Sequence, residues 1–140
     1  MVREFDTETI RLINIFENLT KANVVDCLLD KENNIAYFVV EENQAGIAIG
    51  KNGFKIKQLE KLISKKIKVF EYSTDLEKFV KNLIPKVLEF KLVEEDKKRT
   101  VIVRVDKTER PVIIGREGRN LKIYKKLLLR NHKVNELIIR

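Results

Sequence analysis

Ile49-Gly50-Lys51-Asn52-Gly53-Phe54-Lys55-Ile56 and, 65 positions further on, Ile114-Gly115-Arg116-Glu117-Gly118-Arg119-Asn120-Leu121 spell one pattern twice, I-G-[KR]-x-G-x-x-[IL]. Two glycines three apart carry little information alone. Here each pair sits between helical patterns and the whole arrangement recurs, so the signal is strong. The same offset lays Asn43 on Thr108, Ile47 on Val112, Lys57 on Lys122, Leu62 on Leu127, Ile63 on Leu128 and Val69 on Val134. Such self-similarity marks two copies of one structural unit.

Each copy reads as helix, strand, strand, short helix, long helix, strand. In the first, Asp6 is a good N-cap, and Ile10, Ile13, Phe16 and Leu19 recur at helical spacing as its buried stripe. Val24–Asp30 and Ile35–Val40 read as strands joined by the polar turn Lys31-Glu32-Asn33-Asn34. Asn43 is expected to cap the short helix. A longer helix runs from the glycines to about Ser64, with Ile56, Leu59, Leu62 and Ile63 inward, and Ile67–Tyr72 is the last strand. In the second copy Thr74-Asp75-Leu76-Glu77 has capping-box spacing and opens a helix ending before Pro85. Val87–Val93 and Thr100–Val105 are expected strands around the charged turn Glu94–Arg99. Thr108–Ile114 is the short helix, with Pro111 in its first turn, where amide hydrogens lack helical partners. Gly118–Arg130 and Val134–Ile139 complete the copy. The expected domains are residues 1–73 and 74–140. Only Ser73-Thr74 joins them, a junction short enough to restrict their relative orientation.

With 44% hydrophobic and 36% charged residues in 140, the chain reads as globular, and the absence of Trp makes the core aliphatic. No segment has the roughly 20 apolar residues that cross a bilayer, and the start MVREFDTETIRL lacks a signal-peptide core. Cys27 is the sole cysteine, so no intrachain disulfide forms. A reducing, cytoplasmic setting without membrane attachment is expected.

The net charge of +8 is unevenly spread. The windows Gly50–Lys68 and Lys107–Lys133 carry +6 and +7, leaving −5 for the remainder. Both positive stretches surround the glycine loops, and a localised basic excess points to a polyanion. A loop between two helices presents the amide end of the second, where the helix dipole also favours an anion. Glycine at Gly50, Gly53, Gly115 and Gly118 allows the tight turn and removes the Cβ that would hold a sugar-phosphate chain at a distance. Lys51 and Arg116 lie at the loop tips, while Lys55, Lys57, Arg119 and Lys122 follow in the next turns. Ile47, Ile49 and Ile56, with Val112, Ile114 and Leu121, flank the loops. They offer an apolar floor for unstacked bases, although for each of them the core is the more ordinary destination. With so few aromatics near the loops, base contact is expected to be aliphatic and hydrogen-bonded.

On these residues both units resemble KH domains, and the resemblance covers essentially the whole chain. It implies an α+β fold of two tandem type II KH domains. Each is ordered α-β-β-α-α-β, with a three-stranded mixed sheet and helices packed on one face. The tandem arrangement is similar to the RNA-binding half of NusA transcription factors, and the lack of further domains resembles the short archaeal NusA-like proteins. Single-stranded nascent RNA as partner, action on elongation or termination, and RNA polymerase as a second partner are what this resemblance implies. Gly50, Lys51, Asn52 and Gly53 then form one RNA-gripping loop, and Gly115, Arg116, Glu117 and Gly118 the other. Glu117 departs from a basic loop: it brings the loop charge near zero and makes the second copy the weaker expected binder. A monomer is expected, with no cofactor.

Other function classes leave fainter traces. Gly46–Asn52 is one residue short of P-loop spacing, and neither Ser nor Thr follows the Lys. His132 stands alone, Cys27 falls in an apolar strand pattern, and no metal-ligand cluster appears. No enzyme is expected. The acidic positions Asp26, Asp30, Glu41, Glu42 and Glu94–Asp96 leave open a polymerase-binding scaffold. A ribosome-associated or RNA-processing KH protein stays open too.

Overall fold

The computed structural model describes residues 5–140; the first four, at the charged start of the chain, lie outside them. The chain divides into two compact units, residues 1–73 and 74–140. In the first, α1 (Thr7–Thr20) precedes β1 (Val24–Asp30) and β2 (Ile35–Val40), then α2 (Ala45–Ile49), α3 (Phe54–Ile63) and β3 (Lys66–Glu71). The second repeats the order with α4 (Leu76–Leu83), β4 (Glu89–Glu95), β5 (Lys98–Arg104), α5 (Arg110–Ile114), α6 (Arg119–His132) and β6 (Glu136–Ile139). A single 3₁₀ turn, Lys51–Gly53 or Arg116–Gly118, links the short helix of each unit to its long one.

Both sheets are three-stranded and mixed. In one, β1 pairs antiparallel with β2, which pairs parallel with β3; in the other, β4, β5 and β6 do the same. The parallel pairing follows from chain connection: two helices lie between the partners, so the chain returns in the same direction. Ala36, Phe38 and Val40 turn one face of β2 into the first core, with Leu12, Phe16, Cys27, Leu59 and Ile67. The Phe16 and Phe38 rings stack at 4.1 Å between centroids. The opposite face of β2 is buried as well, through Ile35, Tyr37 and Val39, in keeping with its unbroken apolar run. In β5 only Val101 and Val103 are buried, while Ile102, which the pleat turns to the other face, is half-buried. The second core is completed by Phe79, Val80, Leu83, Ile113, Leu127, Leu128 and Leu137.

The structure corrects several local expectations. Asp6 does cap α1, its Oδ1 accepting the Thr9 amide at 2.7 Å. Of the expected stripe Phe16 is buried and Ile13 and Leu19 pack half-buried against the core, but Ile10 is exposed, and the buried positions are Thr9, Leu12, Phe16 and Thr20. Thr20 can be buried because its hydroxyl donates to the Phe16 carbonyl at 2.8 Å. Asn43 is not a cap: it takes φ 66° in the turn before α2, whose N-cap is Gln44. Thr108 is not one either, since its amide and hydroxyl both bond Asp106 Oδ1 in an Asx turn ahead of Glu109. Asp75, not Thr74, is the N-cap of α4, and it makes no side-chain capping bond.

The turn between β4 and β5 shrinks from the expected Glu94–Arg99 to Asp96-Lys97, both at positive φ, as in a two-residue type I′ hairpin. Glu94, Glu95, Lys98 and Arg99 continue the ladder instead. The repeat offset also drifts. The left-handed residues that end α3 and α6 are Ser64 and Lys133, so α6 carries an extra turn and the constant offset fails at the helix ends. Before that point the offset still holds, yet Leu62 is exposed while Leu127, at the same place in its helix, is fully buried.

Candidate nucleic-acid interface

The two loops follow one backbone path. Gly50 and Gly115 have φ/ψ of 77°/173° and 81°/167°, a region essentially reserved for glycine. Gly53 and Gly118, at 71°/17° and 72°/19°, are left-handed, as are Asn52 at 54°/28° and Glu117 at 57°/26°. The two glycines of each loop do different work. A Cβ on Gly50 would stand 2.9 Å from Lys55 Cγ and 3.2 Å from the Lys55 amide nitrogen. One on Gly115 would meet Asn120 as closely, at 2.9 Å from Nδ2 and 3.1 Å from the amide nitrogen. The first glycine therefore lets the loop close onto the following helix. A Cβ on Gly53 or Gly118 would meet nothing within 4 Å, so the second glycine keeps an open surface flat.

The expected row of open amides is only partly there. The Gly53 N–H donates to the Gly50 carbonyl at 3.1 Å, and the Phe54 N–H to the Lys51 carbonyl. Gly118 and Arg119 donate likewise to Gly115, at 3.1 Å, and to Arg116. The 3₁₀ turn thus uses amides that a plain helix start would present to an anion.

The flanking aliphatic residues divide cleanly. In α2 the core position is Ala48, fully buried, while Ile47 and Ile49 are 48% and 39% exposed. In α5 it is Ile113, with Val112 at 72% exposure and Ile114 half-buried. Ile56 and Leu121 are half-buried. Most residues expected to serve the core therefore lie at least partly on the surface beside the loops. The second short helix is tied down by Arg110, whose Nε donates to the Ile139 carbonyl at 3.0 Å, and by Asn120 Nδ2 at 3.4 Å from the Val112 carbonyl.

Not every cation in the two basic windows faces outward for a partner. Arg110 is committed to Ile139, Lys65 to Asn34 Oδ1, and Lys125 to Glu136 at 2.9 Å. The Lys125 ammonium group, through its hydrogen bond, holds the Glu136 carboxyl below the usual carboxylate range. Lys51, Asn52, Lys57, Arg116, Glu117 and Lys122 are exposed, whereas Lys55 and Arg119 are half-buried. Lys51, Asn52, Lys55 and Lys57 line an open depression of about 550 Å³ together with Phe54. Phe54, 67% exposed, escaped the sequence reading, which expected no aromatic contribution here. Its signal was present: a Phe directly after the second glycine, where the first turn of the helix leaves the surface. At the other positions singled out earlier, Cys27 is buried in the first core and the His132 ring lies 5.1 Å from that of Phe79. Asp26 is buried rather than part of an acidic surface, its Oδ1 accepting the Cys27 amide at 2.8 Å.

Among the described residues no cluster of three or more His, Cys, Asp or Glu is placed to hold a metal ion, and no helix is long and apolar enough to cross a membrane. A family described as KH domain matches residues 11–92, a span that takes in the first loop and stops short of the second. A "Probable transcription termination protein NusA" of Methanococcus vannielii is 41% identical over 84% of this chain and 68% of its own length. Its namesake from Thermoplasma acidophilum is 31% identical over 96% of this chain and 94% of its own. The crystal structure of APE1850 superposes with a TM-score of 0.81 at 36% identity, covering 97% of this chain and 100% of that one.

Proposed function

The chain belongs to the KH-domain family, among the archaeal NusA-like KH proteins, and from that premise we propose that it is an RNA-binding transcription factor acting without catalysis. Its two units serve as tandem type II KH domains, residues 1–73 and 74–140. Each grips single-stranded RNA, about four nucleotides at a time, through its Gly-x-x-Gly loop. The target is nascent transcript, and the protein influences elongation or termination by RNA polymerase.

One observation carries the loop mechanism: two loops of matching backbone, each with a flat glycine surface, an exposed cation at its tip and exposed aliphatic side chains beside it. Lys51 approaches a phosphate as a point charge and Arg116 as a planar donor fork, and Lys57 and Lys122 follow along the strand. Ile47, Ile49, Val112 and Ile114 supply the apolar surface on which unstacked bases rest. Lys55 and Arg119 extend the cationic side, while Gly53 and Gly118 admit the RNA backbone and Gly50 and Gly115 let each loop close onto its helix. Asn52 offers its amide to a base or sugar, whereas Glu117 repels phosphate.

The test is binding of single-stranded RNA by fluorescence anisotropy to the full chain and two variants. Replacing Lys51 and Asn52 together by Asp should weaken binding by roughly tenfold or more, since contacts to charged groups are lost and repulsion is added. Arg116→Asp should weaken it less. Folded variants that bind as tightly as the parent overturn the loop mechanism.

A further inference from the structure

Phe54 is the phenylalanine that folding does not use. Of the seven in the chain, Phe16, Phe38 and Phe79 are fully buried and Phe5, Phe70 and Phe90 half-buried, while Phe54 alone is exposed. Helix propensity gives no reason for it, because Phe ranks below Lys, Arg or Gln as a helix former. Its surroundings are chemically narrow: three ammonium groups, Lys51, Lys55 and Lys57, and the Asn52 amide line the same depression. Lysine is depleted where proteins bury apolar patches against one another, so this rim is poorly suited to a protein partner. A flat apolar ring inside a cationic rim instead matches a nucleotide, which pairs a π face with an anionic edge.

Resting on the RNA-binding reading above, we infer that Phe54 is a stacking platform for one unpaired nucleobase of the strand whose phosphate is held at Lys51. This adds ring stacking to an interface otherwise lined by aliphatic side chains. It also separates the two units, because Arg119 opens α6 where Phe54 opens α3. The first unit then favours strands with strongly stacking bases, and the second responds chiefly to charge.

The chain has no tryptophan, so Phe54→Trp installs a single indole at this position, excitable apart from the three tyrosines. Its emission should fall when oligoadenylate is added and stay level with an abasic ribose-phosphate strand of equal length. Phe54→Leu keeps apolar bulk without the ring and should bind oligoadenylate about 5- to 150-fold more weakly than the parent. Phe54→Tyr should recover most of that loss. Parent-like binding by Phe54→Leu, alongside weakened binding by Lys51→Asp, overturns the stacking role and leaves the loop mechanism standing. Absence of RNA binding in the parent overturns both.

Discussion

At Gly50–Gly53 and Gly115–Gly118 the backbone torsions agree within about ten degrees, yet the side chains that ride on them have opposite character. The third position of each loop is left-handed. Asparagine, as at Asn52, is among the residue types that tolerate this conformation best, whereas glutamate, as at Glu117, is not. The second unit therefore keeps the geometry of the first while accepting both backbone strain and a misplaced charge. Shape in these loops comes from the glycines, and binding strength from what the intervening residues bring. The first loop combines a cation, a neutral amide and an adjacent exposed ring; the second combines a cation, a carboxylate and a half-buried Arg.

The largest expected effect separates the glycines within a loop. Gly50→Ala or Gly115→Ala should destabilise its unit by about 1–3 kcal/mol through backbone strain alone, with the close approach to Lys55 or Asn120 adding to it. Gly53→Ala and Gly118→Ala should cost only about 1 kcal/mol, because the conformation is left-handed but the space is open. Urea unfolding of the four variants measures this, and equal losses would break the division of roles.

Next comes exchange of the third residues. Glu117→Asn should tighten RNA binding by the second unit and stabilise it by up to about 1 kcal/mol as the left-handed strain is relieved. Asn52→Glu should do the reverse in the first unit. If binding and stability stay unchanged in both, the contrast between the loops lies elsewhere.

A smaller effect concerns salt. Binding should fall with ionic strength, and Lys51→Ala should flatten the logarithmic slope by roughly 0.7, the increment for one phosphate of a single strand. Glu117→Gln should leave that slope almost untouched, since no phosphate contact is removed.

The smallest compares the opening helices. Hydrogen bonds from the Thr9 side chain and amide hold the Asp6 carboxyl below its ordinary value. Its folded pKa is thus below its unfolded one, so capping of α1 contributes above the unfolded pKa and fades as pH falls through the folded value. Asp6→Asn should remove this acid-side dependence from the first unit's unfolding profile. In the second unit the cap of α4 makes no side-chain capping bond, so truncating it by Asp75→Ala should cost less stability at neutral pH than Asp6→Ala does in the first.

Much of the fold was legible because its signals are long or repeated. β1 and β2 end where apolar runs meet polar turns, and the element order of both units follows from the recurrence around the glycines. Short elements were harder. A five-residue helix such as α2 gives under two turns of periodicity, so Ile47, Ala48 and Ile49 are equally plausible core residues until a sheet is placed beneath them. Asn43 and Thr108 look like caps by composition, but a cap is defined by which residue bends before the first amides, and neighbouring turns decided that.

From sequence alone came the two units' element order, the paired glycine loops, the clustering of positive charge and the oddity of Glu117. All of these are properties of residue type and spacing. Only the tertiary structure decided that Ala48 and Ile113 fill the cores while Ile47, Ile49 and Val112 stand outside, that β2 is buried on both faces, and that Phe54 is open. The reason is geometric: spacing says which residues share a face, but burial depends on what another segment of the chain lays against that face.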